Sequence, residues 1–200
     1  MPNTFICKAL PSLFMVSLIA MVGSIFGQTP SDLASTALDS ITRSDWIGGL
    51  KPSLGSTKAP IQVVCFLDYQ CPICRKVDPL IRKAIAKRTD IALTYREFPL
   101  NMHQFAKSAA IVAENARASG KFELVHRLIM QGQALTDGTV KSAARTAHVS
   151  TNATVKTNQR LDADNQIEQK AKINSVPAFV VISHGKTQMM GSTQFLEFLK

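Results

Sequence analysis

The sequence predicts an α/β fold built around a strand, helix and strand unit, and three observations predict it. An apolar, β-branched run, "IQVVCFL" (61 to 67), leads into helically spaced apolar residues from Pro72 to about Arg88 and then into a second strand-like run, "IALTYREF" (91 to 98). Residues 101 to 158 carry helical periodicity, so a mostly α insertion follows that unit. The chain then reads as a strand, "VPAFVVIS" (176 to 183), a turn at His184-Gly185, a strand "TQMM" and a short helix capped by Ser192. The 200 residues, 46% hydrophobic and 18% charged, are the composition of a folded domain rather than of a disordered chain.

The elements follow in order. Lys8 is the only charge before residue 28, and "SLFMVSLIAMVGSIF" (12 to 26) is apolar to weakly polar, so residues 1–27 read as an export signal with small residues at Ser24 and Gly27. An uncleaved membrane anchor is the other reading of that segment. Residues 28–57 form a lead-in: a short amphipathic helix with Thr29 as cap and Pro30 at its first position, then the Gly, Pro and Ser-rich "GGLKPSLGSTKAP" as linker. The main domain spans 58–200. Its first strand lacks strict alternation, the pattern of a strand covered on both faces, which implies a parallel sheet. Pro79 is expected to kink the helix after it. Within the insertion, helices are expected from Phe105 to Gly120, through "KFELVHRLIMQ", and from Thr136 or Asp137 onward, with a final helix near 160 to 172.

The chemistry centres on "CPIC" (71 to 74), where the first strand hands over to the helix. With Cys71 at the N-cap, Pro72 occupies the first helical position, where its missing N–H costs nothing, and Cys74 lies at the third. The Cys71 sulfur then faces the free N–H groups of residues 73 and 74, and those donors and the helix dipole favour a thiolate. Cys71 is therefore the expected exposed nucleophile, and Cys74, one turn on and more buried, the resolving thiol. Arg75, Lys76, Arg82, Lys83, Lys87 and Arg88 crowd the helix against a single acid, Asp78, and read mainly as a solvated face.

Other chemistries fit less well. A structural zinc site needs four ligands, and His103, His126, His148 and His184 are far apart in sequence. So tight a loop gains little from a structural disulfide. A copper-binding site on the two thiolates is the open alternative, because thiolates select soft ions. The net charge of +9 reads as a solubilising surface or a preference for anionic envelopes and acidic clients, and nucleic acid is not an expected partner.

"APIQVVCFLDYQCPICRKVDP", "YREFPLNMHQFAKSAAIVAENARASGKF" and "NSVPAFVV", in that order, resemble the thioredoxin superfamily and more closely its DsbA-like branch of exported thiol-disulfide oxidoreductases. The resemblance covers about 58 to 200. It implies a thioredoxin fold with the α-helical insertion between the second strand and the cis-proline strand, and a periplasmic or extracytoplasmic enzyme needing no cofactor or metal. Cys71 and Cys74 match the family's redox pair; Pro177 matches its cis-proline, so Val176 would present backbone groups to a bound client. The implied partners are client proteins with thiols or disulfides and a membrane redox partner. Three positions depart from the pattern. Cys65 stands where relatives commonly carry a buried acid, Pro72-Ile73 lacks the histidine of strongly oxidising members, and Ser175 stands where glycine is common. Cys65 reads as a small buried hydrophobe, with a third reactive thiol as the alternative. His103 is expected to hydrogen-bond at a helix start, and Trp46, Met189 and Met190 to pack.

Overall fold

The computed structural model describes residues 38, 40–132 and 134–200. The expected export signal or anchor, and nearly all of the expected lead-in helix, lie outside these residues. The described chain opens with a helix the sequence pattern missed, α1 (Arg43–Ile47). Its start is fixed locally: the Thr42 hydroxyl accepts from the Asp45 N–H at 3.2 Å, and the Asp45 carboxylate accepts from the Thr42 N–H at 3.0 Å.

The remaining elements are β1 (Ile61–Leu67), α2 (Pro72–Ile85), β2 (Ile91–Glu97), α3 (Ala106–Ala118), α4 (Phe122–Met130), α5 (Asp137–Ala147), α6 (Val155–Lys170), β3 (Ala178–Ser183), β4 (Lys186–Gly191) and α7 (Ser192–Phe198). The sheet order is β2-β1-β3-β4. β1 runs parallel to β2, with Cys65 opposite Tyr95, but antiparallel to β3, with Cys65 opposite Phe179. The sheet is therefore mixed, not parallel throughout. Burial on both faces is what the apolar run of β1 records, and that burial is the same whichever way the neighbour runs.

Alternation along the strands sends side chains to opposite faces. Val63, Cys65 and Leu67 of β1, Ile91, Leu93 and Tyr95 of β2, and Phe179 and Val181 of β3 enter one core with residues of α2 to α5 and α7. Val64, Phe66, Val180 and Ile182 enter a second core with Leu38, Ile41, Trp46 and Ile173. Each fully buried aliphatic or aromatic side chain here contributes roughly 1.5–3 kcal/mol. Trp46, fully buried, meets Phe66 edge to face at 6.3 Å, so the segment before residue 58 contributes to the core and not only to a linker.

Leu54 makes a bridge with Leu93 and covers the outer edge of β2. Next to it, Gly55 has φ +78° and its α-carbon faces β2 so closely that a β-carbon would lie 2.2 Å from the Ile91 carbonyl oxygen. Only glycine fits there. β3 and β4 join through His184 and Gly185, both at positive φ, as a two-residue hairpin requires.

Two helix starts differ from expectation. The Thr154 side chain accepts from Thr157 N at 3.1 Å, so α6 begins at Val155, five residues before the expected helix. At α7 the cap residue is Gly191, whose N–H donates to Gln194 Oε1 at 3.3 Å, and Ser192 is already helical. Among the described residues no helix is long and apolar enough to cross a membrane.

Candidate active site

Cys71 is the N-cap of α2, with Pro72 in the first helical position and Cys74 one turn in. The Cys71 N–H donates to the Asp68 carboxylate at 3.1 Å, and the Arg75 N–H donates to the Cys71 carbonyl at 3.1 Å. The sulfur itself makes no cap bond to the helix. It points instead to the Val176 carbonyl oxygen, 3.8 Å away, across a cis Val176–Pro177 bond. Cys71 is also less open than expected, at 6% exposure, because that loop lies over it.

Cys74 is deeper, at 1% exposure. Burial pushes its thiol far above the ordinary range, with the nearby Cys71 adding to the rise. Cys65, Cys71 and Cys74 are all free thiols. Cys65 and Cys74 line one small cavity together with Asp78, Tyr95 and Pro177. Burial raises the Cys65 thiol strongly as well, and Cys74, Asp78 and Glu97 reinforce the shift, so Cys65 is a neutral, small side chain of the core.

The loop before Cys71 hangs on one buried carboxylate. Asp68 accepts from the N–H groups of Gln70 and Cys71 on one side and of Leu100 on the other, and His103 Nδ1 lies 2.8 Å from it. His103 thus binds the loop that leads into α3. Gln70 Oε1 in turn accepts from the Phe105 N–H at 2.7 Å, at the start of α3. Arg75, expected on a solvated face, donates to the carbonyls of Tyr69, Ile129, Gln131 and Gly132 and ties the CPIC turn to the end of α4.

Sequence reasoning missed a polar cluster behind Cys74. Tyr95 donates to Asp78 Oδ1 at 2.5 Å, His126 Nε2 lies 3.3 Å from the same oxygen, and the His126 ring stacks on Tyr95 at 4.3 Å. Tyr69 lies between His126 Nδ1 at 3.2 Å and Glu97 Oε1 at 3.4 Å. Burial raises Asp78, but the bonds from His126 and Tyr95 and the charge of Arg82 outweigh it and hold the carboxyl below its ordinary range. Glu97 goes the other way: burial raises it well above that range, and Glu114 adds to the rise. One signal was available, since Asp78 falls on the apolar stripe of α2 with Cys74, Val77 and Ile81.

Residues 49–200 match the family model described as thioredoxin. The chain belongs to the thioredoxin family. Its fold is that of the catalytic domain of Proteus mirabilis ScsC, with a TM-score of 0.69 at 22% identity over 82% of this chain and 95% of that one. A periplasmic thioredoxin-like protein from Salmonella enterica serovar Typhimurium superposes with a TM-score of 0.64 at 21% identity, over 86% and 96% of the two chains. The thiol-disulfide exchange protein alpha-DsbA2 from Wolbachia pipientis gives 0.65 at 13% identity, over 84% and 95%. In sequence, this thioredoxin-family chain is also 34% identical over 80 residues to the Na(+)/H(+) antiporter NhaA 3 of Salinispora tropica and 35% to NhaA 1 of Salinispora arenicola. That match covers 40% of this chain and spans 12% of the length of those curated relatives.

Proposed function

We propose that this protein is an exported thiol-disulfide oxidoreductase that exchanges disulfides with client proteins through Cys71 and Cys74. The observation that carries the proposal is the pairing of a helix N-cap cysteine, facing the Val176 carbonyl at 3.8 Å, with a second thiol one turn deeper at 1% exposure. Cys71 attacks the client sulfur and forms a mixed disulfide; Cys74 then attacks Cys71 and releases the client. Val176 and Pro177 form the client-binding loop. Beside them a groove of about 210 Å³, lined by Ile173, Ser175, Pro177, Met189 and Met190 among others, offers an apolar floor for an extended segment. Exposed Ile73 suits the same task, as does Met189, which was expected to pack but is 37% exposed while Met190 is buried.

Residues 1–27 act as the export signal, ahead of the lead-in 28–57 and the main domain 58–200. Export agrees with the periplasmic description of the Salmonella neighbour. A membrane protein that restores the redox state of the pair is the second proposed partner.

Cys71→Ser should abolish dithiol exchange, and Cys74→Ser should accumulate covalent client complexes. Exchange retained by Cys71→Ser removes the mechanism. The copper reading replaces it if the reduced protein takes up Cu(I) stoichiometrically while exchange is negligible.

A further inference from the structure

Part of the +9 net charge gathers at a second cavity that the thiols do not touch. It has a volume of about 730 Å³ and lies between the connection that follows α1, the C-terminal half of α3, the start of α4 and one face of α6. None of the residues around it lines the cavity of Cys65 and Cys74 or the groove beside Pro177. Its size falls within the range of about 300–1,000 Å³ usual for small-molecule sites.

The charges in its wall do not cancel. Asp164 serves two guanidiniums, that of Arg96 at 2.6 Å and that of Arg160 one turn before it on α6, so this buried group carries one positive charge in excess. Arg160 lines the cavity and crosses it to donate to the Gly48 carbonyl at 3.3 Å. Arg117 is matched by Glu114 at 2.8 Å, and Glu123 is matched by Arg82. Lys156, one turn before Arg160, and Lys51, on the connection that follows α1, are exposed on the same cavity with no ion pair among the described residues. The first turn of α6, with Lys156 and Thr157, also borders the space, and the positive end of the helix dipole adds to the field there.

The rest of the wall is apolar. Leu50 and Pro52 come from the connection after α1, Ala118 from α3 and Phe122 from α4. An inorganic anion would meet the charges and leave this surface uncovered, while a neutral apolar molecule would leave the charges unanswered.

We propose that this cavity binds a free organic acid, a carboxylate or sulfonate carried on an aromatic or aliphatic body. The anionic group meets Lys51, Lys156 and Arg160, and the body lies against Leu50, Pro52, Ala118 and Phe122. The site is separate from the thiols, so it stands or falls independently of the exchange reaction.

Two fluorescent probes isolate the charge: 8-anilinonaphthalene-1-sulfonate, and N-phenyl-1-naphthylamine, which has the same rings and no sulfonate. Titration of the full chain at low salt should give one site for the sulfonate with a dissociation constant on the order of 10 µM, and binding of the neutral probe at least about 10-fold weaker. Lys51→Glu and Lys156→Glu, both on the surface, should each weaken the sulfonate by about 10-fold, because each reverses a charge beside it. Ala163→Trp, which puts a ring into the space from α6, should abolish binding. Decanoate should displace the probe, and amide NMR shifts should cluster at Gly48, Gly49 and Gly120, all on the cavity wall. Equal affinity for the neutral probe overturns the proposal, as does full affinity in both lysine variants. So does a failure of decanoate to displace the sulfonate, or a set of shifts confined to residues 173–191.

Discussion

Asp164→Ala should destabilise the fold strongly, because Asp164 neutralises the buried guanidinium of Arg96 beside Trp46 of the second core. Arg96 and Asp164 are 1% and 0% exposed and meet at 2.6 Å. The same guanidinium donates to the carbonyls of Trp46 and Asp45, at 2.7 and 2.6 Å, and so fastens α1 to β2. The other Asp164 oxygen accepts from the Glu97 N–H at 3.0 Å, and Arg160 reaches the first. Alanine leaves Arg96 facing Arg160 without a counter-ion, at a cost of about 3–5 kcal/mol, and orphans a buried N–H at about 1–3 kcal/mol. Loss of the negative charge also relieves Glu97 and Glu114, so a net loss of about 4 kcal/mol is expected. With a urea slope of about 2 kcal/mol/M, the midpoint falls by about 2 M. Urea titration followed by emission of Trp46, the single tryptophan, measures it. A shift under about 0.5 M, roughly 1 kcal/mol, would refute the view that this pair anchors the core.

Three further outcomes are expected. Iodoacetamide should label Cys71 first and Cys65 only after denaturation, because burial keeps the Cys65 thiol protonated; mass mapping of a time course checks it. Glu168 is raised to about 7 by burial and by Asp164. The folded state therefore holds a proton that the unfolded state loses near pH 4.5, so Glu168 makes stability fall as pH rises from about 4.5 to 7. Because Glu168 is partly exposed, Glu168→Gln should recover no more than about 1 kcal/mol at pH 8 and nothing at pH 4, read from urea midpoints. Arg75→Ala should cost about 1–3 kcal/mol through the part-buried carbonyls of Tyr69 and Ile129, which lose their donor, and raise amide exchange near Gln131 and Gly132; unchanged exchange there would count against the tie between the CPIC turn and α4.

The elements that were legible carry their own local signals. Ile61–Leu67 is bounded by a proline and by a polar turn, Thr136 caps α5 at the expected place, and His184-Gly185 is a hairpin turn in both sequence and structure. The five residues of α1 are too few to show a 3.6-residue period, so only its cap could have revealed it. Direction of strand pairing is absent from a doubly covered strand. His126 looked solitary because its partners Asp78, Tyr69 and Tyr95 come from three other parts of the chain. The openness of Cys71 failed as an expectation because the loop covering it is more than one hundred residues distant in sequence.

Asp68 has a mechanical meaning. A single carboxylate is the footing for the turn that presents Cys71 and for the turn that enters α3. A pull on either turn is borne by the other, so the helical block beyond Phe105 works as ballast for the sulfur. If Cys71 exchanges disulfides as proposed, a client that loads the site meets a sulfur whose turn is braced from two sides.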